Sequence, residues 1–160
     1  MSMLKRRLAE IREHIKAEST HDMDALIKGM TRDCFNDIAN VPKPFIGPKR
    51  VAERYALLWA GFPDFKVRAR RILAVGDKAI VTENEWTGTH RGRFLDQPPT
   101  GKRVRMRALV VWHFKGARLQ GETVFFDTGS ILKQIGARST VPRSKRLQKS
   151  KGKRRKSSVH

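Results

Sequence analysis

Cysteine occurs once in the 160 residues, at Cys34. An internal disulfide is therefore excluded, and a reducing, cytoplasmic setting is the natural expectation. Long apolar runs are also missing. The longest, Tyr55 to Ala60, is far short of the ~20 residues a membrane-spanning helix needs. The basic start of the chain is interrupted by Glu10 and Glu13 before any apolar stretch forms, so no secretory signal is expected there. Neither GxGxxG nor GxxxxGK[ST] is present, so no phosphate-binding loop is indicated. One cysteine and scattered histidines do not supply the three or four convergent ligands of a metal site. No Ser-His-Asp order stands out, and Cys34 has no histidine partner in sequence, so nucleophilic catalysis is not indicated. Acidic residues are few, 15 against 35 Lys and Arg, for a net charge of +20.

That charge is unevenly placed. Ten of the basic residues and none of the acidic ones fall in residues 137–160. The segment "RSTVPRSKRLQKSKGKRRKSSVH", residues 138–160, has too little apolar content to offset the entropy of ordering itself and is expected to be a disordered tail. Its cluster Lys145, Arg146, Lys149, Lys151, Lys153, Arg154, Arg155 and Lys156 would hold nucleic acid or an anionic membrane through counterion release, without sequence choice. A solvated extension is the equally simple reading, since no aromatics are interleaved for base stacking.

Residues 1–137 carry the patterns of one folded domain. Leu4, Leu8, Ile11 and Ile15 recur at helical steps, and Ser19 to Asp22 break that helix and cap a second one carrying Met23, Leu26, Ile27 and Met30. Residues 31–46, with Pro42 and Pro44, read as a short strand and a loop. Gly47-Pro48 opens a third helix, which Gly61 and Pro63 end. From Phe65 the period becomes two: strands are expected near 65–75, 78–87, 103–115 and 118–126, followed by a helical turn from Asp127 to Ile135. Helices first and a strand meander after them is an α+β layout with helices covering one face of an antiparallel sheet.

Between two of the strands lies "GTHRGRFLDQPPTGKRV", residues 88–104. A phosphate-gripping loop would need a helix directly after its glycines, and here a strand follows. Pro98-Pro99-Thr100-Gly101 instead fits a turn. Together with "FPDFKV" and "DTGSILKQIG", in this order and spacing, the stretch closely resembles the SnoaL-like polyketide cyclases over about residues 3–137. That resemblance implies the cone-shaped fold of nuclear transport factor 2: a curled antiparallel sheet wrapped by three N-terminal helices around one apolar pocket, commonly in a homodimer. It also implies an apolar or aromatic, polyketide-like ligand and cofactor-independent acid–base chemistry such as aldol cyclisation, isomerisation or hydrolysis. The positions where those cyclases carry their acid–base aspartate and histidine hold Val124 and Val110 here. A ligand-binding protein without chemistry, associating with nucleic acid through its tail, is the alternative.

Three residues are candidates for chemistry. Asp127, after Phe125 and Phe126, is either a carboxylate desolvated at the pocket wall or the N-cap of the closing helix. Glu122 could supply a carboxylate from the same strand face as Val124. His113 could carry a proton or be a satisfied structural histidine. Asn40, Trp59, Phe62, Trp86 and His90 are candidates for the substrate-binding wall, with packing the competing role for the aromatics.

Overall fold

Helical and strand periods translate directly into element order in a computed structural model, which describes residues 1–137. Helix α1 spans Met3–Thr20 and α2 Met23–Gly29. The break between them is chemical: His21 takes a left-handed backbone (φ 58°), and the Asp22 carboxylate caps α2 by accepting from the Ala25 N–H at 2.9 Å. Strand β1 (Met30–Ile38) and a two-residue β2 (Phe45–Ile46) follow, then α3 (Pro48–Gly61), with proline in its first turn. Strands β3 (Lys66–Val75), β4 (Ala79–Thr89), β5 (Arg103–Lys115) and β6 (Arg118–Phe126) form the meander, and α4 (Thr128–Ile135) closes the domain.

The sheet runs in the order β2-β1-β6-β5-β4-β3. Its meander is antiparallel as expected, but β1 pairs parallel to β6, so the curled sheet is mixed. The nine residues of β1 replace the short strand expected there. Their sequence, MTRDCFNDI, looks polar because after Met30 the buried positions are only Cys34, Asn36 and Ile38, and one of those three is an asparagine. The parallel return becomes possible because helix α3 and strands β2 to β5 intervene before β6.

The inner face of β5 carries Val104, Met106, Ala108, Val110, Trp112 and Phe114, all buried. Helix α1 packs over the sheet with a face rotated from the leucine–isoleucine stripe: Arg7, Ile11, His14 and Glu18 are buried, while Leu4 is exposed. Arg7 is held there by donating to the carbonyls of Gly116 and Asp77. The outer face of the sheet is a charge ladder. Glu83 is flanked by Arg70, Arg71 and Arg107, and Glu85 by Arg68, Arg70 and Arg105.

Residues 90–102 form the connection between β4 and β5. The His90 carbonyl accepts from the Thr100 and Gly101 N–H groups, and the loop docks on the end of α3 through Arg91 and Gly92 N–H bonds to the Gly61 carbonyl. No helix among the described residues is long and apolar enough to cross a membrane. The polybasic segment from Lys145 to Lys156 lies outside the described residues.

Candidate functional site

Curling the sheet under α1 and α3 leaves a cavity of about 430 Å³, within the range of small-molecule sites. Its wall is apolar: Ile38, Leu58, Phe65, Trp86, Val110 and Val124 face it. Val41, Leu57 and Leu95 stand exposed at its mouth, where the 91–97 loop lies across. Six polar or charged side chains also line the cavity: Glu18, Arg54, Asn84 and Glu122, and, from the 91–97 loop, Arg93 and Asp96.

Two of these belong to a buried hydrogen-bonded cluster. His14 and Glu18 sit one turn apart on α1, Tyr55 comes from α3, Asn36 from β1 and Glu122 from β6. Asn36 and Glu122 are register partners across the parallel pair, and Trp112 is Glu122's partner on the other side. The Asn36 side-chain N–H and the Tyr55 hydroxyl both bond Glu122 Oε1. The second oxygen of Glu122 meets no donor among the described residues and belongs to a side chain that lines the cavity.

Tyr55 Oη is also 2.5 Å from Glu18 Oε1 and 3.2 Å from His14 Nε2. A phenol hydroxyl has one hydrogen, and here two carboxyl oxygens contact it. A second proton must lie between them. Burial, and then the charge of Glu122, push the Glu18 carboxyl up to about 8, which assigns that proton to Glu18. Glu18 is thus a neutral acid at pH 7 and can donate to Tyr55 while Tyr55 donates to Glu122. Burial also raises the Tyr55 hydroxyl well above its usual range, ahead of the charges of Glu122 and Glu18. His14 is lowered by burial, with its ring edge-on to Trp112, and so stays neutral.

His14, Glu18 and Glu122 bring their ligand atoms within 4.8 Å of one another, a spacing that a cation could use. Tyr55 Oη, however, lies within hydrogen-bonding reach of all three. The space an ion would need is filled by that hydroxyl. The arrangement is a proton-sharing network, with an acid and a base in a low-dielectric floor.

Of the residues singled out in the sequence, Glu122 and Trp86 line the cavity and the others do not. Asp127 is exposed, outside the cavity, so no aromatic shell desolvates it. It occupies the N-cap position of α4 without a side-chain cap bond. His113 lies on the opposite face of β5 from the cavity, bonded to Thr123 at 3.0 Å and tilted against Phe35. Asn40 ties the end of β1 to the Phe126 carbonyl and the Thr128 hydroxyl. Trp59 stacks on His21, and Phe62 packs against Trp86, His90 and Phe94. His90 bonds Thr100 at 3.1 Å and braces the 88–104 connection. Val110 and Val124 are cross-strand partners facing the cavity, and Glu122 lies one step further along the same face of β6.

Sequence reasoning passed over His14, Glu18, Asn36, Arg54, Tyr55 and Asn84. One signal was available: His14 and Glu18 follow Ile11 by three and seven residues, which places two titratable groups on an inward helical stripe.

The family model of SnoaL-like polyketide cyclases matches residues 4–135. Among solved structures, a candidate SnoaL-like polyketide cyclase from Jannaschia sp. CCS1 superposes with a TM-score of 0.75 at 19% identity, covering 84% of this chain and 94% of that one. AclR, a candidate hydroxylase from Streptomyces galilaeus, gives 0.71 at 21% identity over 84% and 98%. TerC, co-crystallised with polyporic acid, gives 0.66 at 14% over 82% and 99%. Among curated protein sequences none matches. At these identities the solved structures establish the shared fold alone. The match of the family model over nearly the whole described domain places the chain among the SnoaL-like polyketide cyclases.

Proposed function

We propose that the protein is an enzyme that moves a proton at carbon in an apolar, aromatic small molecule. Glu122 acts as the base, and protonated Glu18, relayed through Tyr55, acts as the acid. One observation carries this reading: two carboxyls share a single phenol hydroxyl at the floor of an apolar cavity. Purely structural residues at such a position would be less costly as apolar ones, since a buried carboxyl pair is favourable only when it is fully hydrogen-bonded. The free oxygen of Glu122 has the geometry of a base: its partner oxygen is fixed by two donors, which orients the carboxylate. Cyclisation and isomerisation are the reaction types this pair fits, and both return the proton they take. The crystallisation of a relative with polyporic acid supports a small organic molecule as the occupant.

The reading can be tested without the natural substrate. Nitrobenzisoxazole opens when a base removes its ring C–H proton, the N–O bond breaks, and a coloured cyanophenolate is released. The protein should accelerate this reaction, and Glu122→Gln should lower the rate by about 10²–10⁴-fold with an unchanged melting temperature. A rate equal in wild type and variant would leave a ligand-binding protein without chemistry.

A further inference from the structure

A second polar device in the cavity lies away from the carboxyl pair. Thr82 and Asn84 are two residues apart on the inner face of β4, and both are buried. The Trp112 indole N–H donates to the Thr82 hydroxyl at 2.8 Å, and the Thr82 hydroxyl donates to Asn84 Oδ1 at 2.7 Å. The direction of this chain follows from the donors. An indole nitrogen can only donate, so Thr82 must accept from it, and Thr82 then has one hydrogen left to give. Turning the Asn84 amide over would aim a second N–H at Thr82 and strand the hydroxyl hydrogen in a buried site, the arrangement that proteins avoid. The amide oxygen is therefore held by Thr82, and the nitrogen points elsewhere. It meets no acceptor among the described residues, and Asn84 lines the cavity.

The result is a pair of N–H donors fixed in the cavity wall. Asn84 stands level with Ala108 on β5, whereas Glu122 stands level with Trp112. The two are thus two strands and four residues apart in the sheet, which at ordinary strand spacing is roughly 17 Å along a flat sheet and less across the curl. The donor is too remote to polarise the atom next to the carbon that Glu122 would deprotonate.

We infer that Asn84, locked by the Trp112–Thr82 relay, docks a carbonyl or quinone oxygen at the far end of an elongated polycyclic ligand. That contact sets which carbon reaches the carboxyl pair. The choice of reacting carbon rests on the acid–base reading; the binding contact stands by itself. Asn84 is a specificity residue, and Thr82 and Trp112 position it.

Anthrone is a suitable probe of the binding contact because it presents a single carbonyl oxygen on an apolar three-ring body. Dihydroanthracene is the same body without the oxygen. Fluorescence titration should show anthrone favoured over dihydroanthracene. Asn84→Leu and Asn84→Asp should both weaken anthrone about three- to tenfold, and Asn84→Leu should leave dihydroanthracene unchanged. The infrared carbonyl stretch of bound anthrone should lie lower in wild type than in either variant, and Thr82→Val should move it part of the way. Asn84→Asp keeps the acceptor that Thr82 needs, so a folding failure of Asn84→Leu does not decide the matter. An unchanged carbonyl band, an unchanged preference over dihydroanthracene, or no binding of anthrone overturns the inference. A shifted band in a protein that fails to open nitrobenzisoxazole would instead retain the Asn84 contact and reject the acid–base reading.

Discussion

Replacing Glu18 by Gln tests the floor of the cavity through stability alone. The folded protein holds a proton on Glu18 up to about 8, from an ordinary value of 4.5, while the unfolded chain releases it near that ordinary value. Between those limits the native state binds more protons than the unfolded state, so stability falls as pH rises. The slope is about 1.4 kcal/mol per pH unit. His14 works in the opposite sense: its folded value is lowered, so stability rises with pH until the unfolded imidazole has lost its proton near pH 6.5. The clean window is therefore about pH 6.5 to 8, over which wild type should lose on the order of 2 kcal/mol through Glu18. Gln is neutral at every pH, has the same shape and can donate to Tyr55 Oη as protonated Glu18 does. The variant should lack this loss, and the stability difference between the two proteins should widen by about 2 kcal/mol across the window. Urea unfolding followed by tryptophan fluorescence at half-unit pH steps measures it, and other titrating groups cancel in the difference. Parallel curves for the two proteins between pH 6.5 and 8.5 would show that Glu18 carries no retained proton and would dismantle the acid–base assignment.

On the acid side the sign reverses. Hydrogen bonds from Arg105 and Arg68 hold Glu85 at about 2, and the bond from Lys115 holds Asp33 at about 2. Stability should therefore drop as pH falls from about 4 towards 2, and the melting temperature should fall with it; a flat profile there would deny the outer ladder any role. Gly92→Ala should destabilise by about 1–3 kcal/mol and lower affinity for cavity ligands, because its Cβ would lie 1.9 Å from the Ala60 carbonyl oxygen and push the mouth loop off α3; calorimetry and anthrone titration check it. Light scattering on a chain ending at Ala137 should give a homodimer, with Leu109 and Phe125, 44% and 48% exposed on the outer face, as the surface to cover; a monomer at micromolar concentration would refute the pairing. Duplex DNA should bind the full chain with a steep salt dependence and the shortened chain weakly; equal binding would shift the determinant to the outer-face arginines.

Local patterning was enough for much of the fold. The period-two run of β5 fixes its inner face because alternate side chains of a strand point to opposite sides. The break at Ser19 to Asp22 and the start at Gly47-Pro48 were legible because caps and turn residues act over three or four positions. Strand β1 was hidden because its inward positions include a polar residue, and its parallel partner lies 86 residues away (Asn36 with Glu122), a pairing that no local rule contains. The site followed the same division. Glu122 could be nominated from its strand face, and Asp127 from its neighbours in sequence, but neighbours in sequence do not establish desolvation, and Asp127 is exposed. His14, Glu18, Asn36 and Tyr55 come from three further elements, and what makes them chemical is their convergence. An α1 glutamate is an ordinary surface residue until the packing of α1 on the curled sheet removes its water and sets it 2.5 Å from a phenol oxygen already engaged by a second carboxylate. Sequence determined which residues could titrate. The tertiary structure decided which of them share a proton, because burial and distance, and neither composition nor spacing, set the energy of a charge.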